Sequence, residues 1–248
     1  MALYDFDAPR LFVEASLSPG GRFGLDRNQL NYLVNVLRLR TGDTVLVFNG
    51  RDGEWRAELR IEGRRQAELV CQDRVREQTQ SLDLLYLFAP LKHARLDYMV
   101  QKAVELGVGA LQPVYTQRTQ SSRVNLERMR ANAIEAAEQC GVLAIPEIRP
   151  DVPFVAAVER LEPDRLVVFC DEDAPVANPI EALSAYRNLK AKVAVMVGPE
   201  GGFTAEERAR VAACEGCVRV SLGPRILRAD TAAVAVLAIV QAVLGDWQ

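Results

Sequence analysis

Val193-Ala194-Val195-Met196-Val197-Gly198-Pro199-Glu200-Gly201-Gly202-Phe203 reads as a buried strand that ends in a glycine-rich turn. An apolar run without alternation is expected of a parallel strand covered on both faces. Thr204 follows, and Glu207 stands three residues later. That spacing is a capping box, and it predicts a helix over Ala205–Cys214. Strand, glycine turn and helix form the repeating unit of an α/β domain. In open parallel sheets ligands bind beyond the carboxyl ends of the strands. The turn fits neither the dinucleotide-binding fingerprint nor the phosphate-binding P-loop, whose lysine is missing. Read by itself, it is a tight turn whose backbone a ligand can approach closely.

The same arrangement recurs downstream. Val218–Leu222 is a strand, and Ser221-Leu222-Gly223-Pro224-Arg225-Ile226-Leu227-Arg228-Ala229-Asp230-Thr231-Ala232 leads into a long apolar helix over Asp230–Leu244, with Asp230 or Thr231 as its cap. Two such loops at neighbouring strand ends can enclose one ligand. Upstream, Leu82–Ala89, Leu111–Tyr115 and Leu166–Cys170 read as buried strands. Arg95–Leu106, stopped by Gly107, and Leu126–Cys140 read as helices. Strands alternating with helices predict an α/β domain with a mainly parallel sheet.

The first part of the chain differs. Thr44–Phe48, Glu54–Ile61 and Ala67–Cys71 are short strands, with a turn at Asn49–Gly53. Glu54–Ile61 alternates Trp55, Ala57, Leu59 and Ile61 against charged residues, the pattern of a half-buried strand. One amphipathic helix is expected at Arg27–Arg38, through Leu30, Leu33, Val34 and Leu37. A small β-barrel is the natural arrangement. Val75–Ser81 is polar and reads as a linker, so two domains are expected, 1–75 and 76–248.

Composition narrows the function classes. The chain has 248 residues, 49% of them hydrophobic, and a net charge of −3. It has no sequence-wide attraction to nucleic acid, and any RNA contact must come from a local patch. The basic residues are 26 arginines and 4 lysines, and arginine suits phosphate forks and base stacking. Met1–Arg10 carries acidic residues and no apolar signal segment, and Ala232–Val240 is too short to span a bilayer. A cytoplasmic protein without a membrane partner is expected. Cys71, Cys140 and Cys170 sit singly in apolar stretches and read as buried free thiols. Cys214 and Cys217 form a CxxC at a helix end rather than at a strand-to-helix turn, which reads as packing and not redox chemistry. His93 is the only histidine, which disfavours serine-histidine hydrolysis and leaves no metal site to expect.

GPEGGF (Gly198–Phe203) together with SLGPRILRADTA (Ser221–Ala232) resembles the paired signature of the SPOUT methyltransferases, most closely the 16S ribosomal RNA uridine-N3 methyltransferase family, RsmE. KHARLDYMVQKAVELGV (Lys92–Val108), EAAEQC (Glu135–Cys140) and LVNVLRLRTGD (Leu33–Asp43) resemble further parts of that family, the last its PUA-like segment, so the resemblance covers nearly the whole chain. It implies a C-terminal trefoil knot, an N-terminal PUA-like RNA-binding domain, a homodimer formed through the knot, and S-adenosylmethionine (SAM) as cofactor. By position, Gly198, Glu200, Gly201 and Gly202 would line the cofactor from one side, and Leu222, Gly223, Ile226, Leu227, Arg228 and Ala232 from the other. The loop after Cys170 would give a third wall. Arg228-Ala229-Asp230-Thr231-Ala232 departs from the family's usual Arg-Thr-Glu-Thr-Ala. Asn31 and Asn35 stand where histidine and arginine are common, and the segment after Cys140 lacks an arginine before Pro146.

The implied reaction places a methyl group on uracil N3, which is a poor nucleophile until its proton leaves. Arginine is always protonated, so Arg228 is an anion stabiliser rather than a base, while Glu200 and Asp230 are the carboxylates able to accept the proton. Arg10, Arg22, Arg38, Arg40, Lys92, Lys102, Arg118 and Arg123 are the candidates for contact with 16S rRNA or the small ribosomal subunit. The competing readings are a SPOUT enzyme for another rRNA or tRNA site and a non-catalytic RNA-binding ribosome-assembly factor.

Overall fold

A computed structural model describes residues 8–63, 66–79, 82–121, 123–174, 178–187 and 192–247. The chain divides into two compact units, one of residues 1–80 with 137–145, the other of residues 81–136 with 146–248. The first contains β1 (Arg10–Phe12), β2 (Arg22–Gly24), α1 (Arg27–Leu30), β3 (Thr44–Phe48), β4 (Glu54–Gly63) and β5 (Gln66–Arg76). The second begins with β6 (Leu84–Phe88), α2 (His93–Glu105), β7 (Ala110–Tyr115) and α3 (Leu126–Cys140). It continues with β8 (Glu147–Ile148), β9 (Val152–Pro153), α4 (Phe154–Glu159), β10 (Leu166–Cys170) and α5 (Pro179–Ser184). β11 (Val193–Val197), α6 (Ala205–Ala212), β12 (Cys217–Val220) and α7 (Ala229–Leu244) complete it. The last turn of α3 groups with the first unit, a return that no sequence signal announces.

In the first unit the strand order is β1-β3-β4-β5-β2, antiparallel except where β1 runs parallel to β3. The alternation on β4 buries Trp55, Ala57 and Leu59 against Leu11, Leu33, Val45, Val47 and Leu69. The helix expected over Arg27–Arg38 is shorter and partly wider. One α-turn, capped by Asp26 and Gln29, passes into a π-helical stretch over Asn31–Val36. Arg38, with φ +59°, ends it in the left-handed region. The wide turn keeps Leu33 fully buried while Leu30, Val34 and Leu37 pack at the edge of the same core. β5 runs on to Arg76, through the start of the expected linker, whose last residues Gln80 and Ser81 lie outside the described residues.

Glu54 breaks the alternation, because it is a carboxylate with 0% exposure. Its Oε1 accepts from Arg10 Nε at 2.7 Å, and its Oε2 accepts from Arg76 Nε at 2.6 Å. The two guanidinium groups reach on to the end of α3. Arg10 donates to the carbonyls of Ala137 at 2.5 Å, Glu138 at 2.9 Å and Val142 at 3.3 Å. Arg76 donates to that of Gly141 at 2.9 Å. Arginines at a helix C-terminus satisfy its last carbonyls and oppose its negative dipole end. Arg10 also lies 4.6 Å over the Phe48 ring. This corrects the placement of Arg10 among RNA contacts: its guanidinium is buried and fully engaged inside the unit.

In the second unit all strand pairs are parallel, in the order β12-β10-β11-β6-β7-β8, with β9 beside β7. β6 and β11 are buried along their whole length, and β10 up to Cys170, as their continuous apolar runs require. Gly107, at φ +72°, turns the chain after α2. There the buried Gln241 of α7 donates to the Leu106 carbonyl at 2.6 Å.

Arg165 closes the same side of this sheet, at the N-terminal ends of β6, β10 and β11. It is buried, donating to Glu162 Oε2 at 2.6 Å, Asp83 Oδ1 at 2.9 Å and the Val193 carbonyl at 3.1 Å. The hydrogen bond from Arg165 holds the Glu162 carboxyl down at about 2, below its ordinary 4.5. A carboxyl depressed in the folded state stabilises the fold above its unfolded value, and that contribution is lost as pH falls from about 4.5 to about 2. Glu162→Gln is therefore expected to lower the urea midpoint at pH 7 and to flatten its fall across that acid window. Parallel midpoint-against-pH curves for the two proteins would contradict the linkage.

Candidate functional site

Three neighbouring parallel strands, β12, β10 and β11, end on the same edge of the sheet. Their following loops enclose a cavity of about 350 Å³. After β11 the chain passes through Gly198 with no room for a side chain. A Cβ there would lie 2.6 Å from the Phe203 ring, which packs edge-on against Phe169 with centroids 4.9 Å apart. Gly202 N donates to the Pro199 carbonyl at 2.8 Å, closing a turn that leaves Gly202 at φ +67°. Thr204 and Glu207 form the predicted capping box of α6, which ends at Ala212, before Cys214.

The second loop, Ser221–Arg228, leads to α7. The helix starts at Ala229 with Arg228 at the N-cap and no side-chain capping bond, so neither Asp230 nor Thr231 caps it. Asp230 Oδ1 instead accepts from the adjacent Thr231 N at 3.0 Å. Asp230 and Cys170 lie close enough to the buried Tyr86 hydroxyl to add to the rise in its pKa, which burial mainly causes, so Tyr86 stays neutral.

The third wall is Cys170-Asp171-Glu172. Asp171 is buried, and its Oδ2 accepts from Arg219 Nη2 of β12 at 2.7 Å. Arg208 of α6 spans the whole acidic run, reaching Asp171 Oδ1 at 3.2 Å, Glu172 Oε1 at 2.8 Å and Asp173 Oδ2 at 2.6 Å. Glu172 in turn stands 2.8 Å from where a Cβ on Gly202 would be. The loops after β10 and β11 are thus braced together, and Arg219 ties the first of them to β12.

Of the residues singled out from the sequence, Gly198, Glu200, Gly202, Leu222, Gly223, Ile226, Leu227 and Ala232 line the cavity. Gly201 and Arg228 do not. The Gly201 carbonyl faces Arg118, and Arg228 is exposed between two lining residues, Leu227 and Ala229. Asp230 is also off the lining, whereas Glu200 is on it and pairs with Arg95 at 3.4 Å. Asp171 and Glu172 lie in the expected third wall, Phe203 and Arg225 lie in the two loops without having been singled out, and Arg208 of α6 is a lining residue that no sequence signal pointed to. Ile226 is 88% exposed.

The basic candidates fall in different places. Arg22, Arg38 and Arg40 are exposed in the first unit, and Arg22 lies 3.5 Å from Glu68. Lys92 and Arg123 are exposed in the second, and Lys102 pairs with Glu105 at 2.7 Å. Arg118 donates to the Gly201 carbonyl at 2.6 Å.

Burial raises the Cys71, Cys170, Cys214 and Cys217 thiols above their ordinary value, which favours the protonated form. Burial, then Asp171, pushes Cys170 up to about 12, and burial, then Cys214, pushes Cys217 up to about 11. Cys71 is buried, while Cys140 and Cys170 are half-buried residues rather than fully buried ones. Cys214 and Cys217 join the end of α6 to β12 and pack against the core. Among the described residues no group of three or more His, Cys, Asp and Glu is placed to hold a metal ion, and no helix is long and apolar enough to cross a membrane.

Residues 78–241 match the RNA methyltransferase domain family, and residues 25–70 match the RNA methyltransferase PUA domain. A ribosomal RNA small subunit methyltransferase E from Synechocystis sp. is 35% identical over 244 residues, covering 96% of this chain and 76% of the relative. The chain belongs to the ribosomal RNA small subunit methyltransferase E family. Another methyltransferase E, from Rickettsia conorii, is 28% identical over 94% of both chains. A methyltransferase E structure from Neisseria gonorrhoeae, bound to SAM, superposes with a TM-score of 0.84 at 29% identity, covering 97% of this chain and 100% of that one. A Legionella pneumophila protein solved with SAM bound gives a TM-score of 0.80 at 28% identity, covering 96% and 99%. The α/β fold with a mainly parallel sheet and an N-terminal PUA-like domain is the architecture of this family.

Proposed function

We propose that this chain is a cytoplasmic, SAM-dependent methyltransferase that modifies N3 of a uridine in the decoding region of 16S rRNA. The observation that carries this reading is the cavity in which both glycine loops and the loop after Cys170 converge. Its volume of about 350 Å³ falls within the roughly 300–1,000 Å³ of small-molecule sites. Leu222, Leu227 and Ala232 give it apolar surface, Gly198, Gly202 and Gly223 give close backbone approach, and the Glu172 and Glu200 carboxylates suit a cationic ligand. SAM, when bound, supplies an electrophilic methyl group on a sulfonium.

The protein's own part is to prepare the uracil. Glu200 lines the cavity and is the better placed of the two carboxylates to accept the N3 proton. Asp230 lies off the lining, with one oxygen engaged by the Thr231 amide. Arg228 stands at the start of α7, where the helix dipole adds to its charge, and it opposes the negative charge left on the base.

In this reading residues 1–75 form the RNA-binding domain and 76–248 the methyltransferase domain, whose loop 221–228 and helix α7 make the trefoil knot. Arg22, Arg38, Arg40, Lys92, Lys102 and Arg123 supply phosphate contacts. Two copies pair through the knot. Support for the pairing is the face of α7 at Val234, Ala235, Ala238 and Ala242, small, apolar and not fully buried within one chain, together with the exposed Ile226.

SAM binding is measured by calorimetry, followed by methyl incorporation into small-subunit particles from a strain lacking the endogenous enzyme. Absence of binding overturns the proposal, and binding without transfer to any RNA leaves an RNA-binding assembly factor. Gly202→Val is expected to weaken SAM by at least about thirtyfold, because a β-branched residue at positive φ is strained by about 2 kcal/mol and its Cβ would displace Glu172. The circular dichroism spectrum is expected to stay native. Undiminished affinity would contradict the placement of this loop against the cofactor.

A further inference from the structure

Thr116–Thr119, after β7, is a turn built to touch the cofactor loop. Thr116 N donates to Thr119 Oγ1 at 2.9 Å, and Thr119 N donates back to the Thr116 carbonyl at 3.2 Å. Gln117 N donates to Glu207 Oε1 at 2.8 Å, while Glu207 Oε2 accepts from Thr204 N at 2.9 Å. One buried carboxylate therefore joins this turn to the helix start that follows Gly198–Phe203. Arg118 lies inside the turn. Its Nη1 donates to the Gly201 carbonyl at 2.6 Å, and its Cβ and Cδ lie 3.4 Å from where a Gly201 Cβ would be.

The Gly201–Gly202 peptide is consequently held at both ends. Arg118 fixes its oxygen, and the Pro199 carbonyl accepts its N–H at 2.8 Å. Two successive glycines have more backbone freedom than any other pair, so a loop containing them must be restrained from outside if it is to meet a ligand in one shape. No other side chain among the hydrogen bonds of the described residues holds the Gly201 carbonyl.

We propose that Arg118 is a positioning residue that fixes the Gly201–Gly202 peptide in the conformation that receives SAM, and is not an RNA phosphate ligand. The inference rests on the cavity being the SAM site. It is tested on the full-length protein with Arg118→Ala and Arg118→Lys, measuring the Kd for SAM, the kinetic constants with small-subunit particles, and the affinity for the particles alone.

Arg118→Ala is expected to weaken SAM about tenfold, the loss of a charge-assisted hydrogen bond, and to raise KM for SAM with kcat held within about threefold. Affinity for the particles is expected to stay within about twofold of wild type, because no phosphate contact is removed. Arg118→Lys retains a cationic donor and is expected to recover a large part of the SAM affinity. A SAM Kd unchanged in Arg118→Ala, with weakened particle binding, overturns the proposal and returns Arg118 to the RNA contacts. A lysine variant no better than alanine overturns it too. Failure of the wild-type protein to bind SAM would instead remove the assignment of the cavity on which the inference stands.

Discussion

Arg228→Ala is expected to lower kcat for methyl transfer by about two to three orders of magnitude, with the Kd for SAM changed by less than about threefold. The expected split follows from where Arg228 stands. Leu227 and Ala229 on either side line the cavity, but Arg228 itself does not, so little cofactor contact is lost with it. It is exposed and makes no ion pair among the described residues, which leaves its charge available to an incoming base. An anion forming on uracil N3 and its flanking carbonyl oxygens gains from that charge only as the proton leaves, so the effect belongs to the transition state. Arg228→Lys keeps the charge without the planar fork and is expected to restore part of the rate. Single-turnover transfer and calorimetry on the same variants decide the matter, and equal losses in rate and affinity would make Arg228 a cofactor ligand instead.

The other large effect is on stability. Glu54→Ala is expected to cost about 3–5 kcal/mol, because it leaves the buried Arg10 and the partly buried Arg76 without their shared carboxylate. Chemical denaturation should show the N-terminal unit melting well before the wild-type midpoint. Every residue lining the cavity proposed for SAM belongs to the other unit, so SAM affinity is expected to persist under conditions where that unit remains folded. Glu54→Gln preserves shape and some hydrogen bonding and should cost less. A midpoint within about 1 kcal/mol of wild type for Glu54→Ala would show that water reaches these arginines and solvates them.

Much of the second unit was legible from local pattern. Leu166–Cys170 and Val193–Val197 are apolar runs closed by turn residues, and Leu126–Cys140 has a clear helical stripe; all three occur with the boundaries expected. The Thr204–Glu207 capping box was equally visible, because its partners are three residues apart. What escaped was long-range. Arg10 reads as an ordinary basic residue until it meets Glu54, 44 positions away. The loop after Cys170 was expected as a third wall only through the family resemblance, and the anchor of its Asp171 stays hidden until Arg219 is found 48 positions beyond. The wide turn at Asn31–Val36 is hidden for a different reason, since over so few residues the α and π periods place the same leucines on one face. Short elements such as α5 and β8 offer too few residues for any period to show.

The embrace of the α3 end by Arg10 and Arg76 also bears on how the protein is made. Gly141 is 65 residues after Arg76, so during synthesis at about 5–20 residues per second its carbonyl arrives about 3–13 s later. In that interval β6, α2, β7 and most of α3 are polymerised. The N-terminal unit therefore cannot be finished in the order in which it is translated. It must wait, with Glu54 pairing two arginines whose remaining donors are unfilled, until a segment from beyond the first strands of the next unit leaves the ribosome.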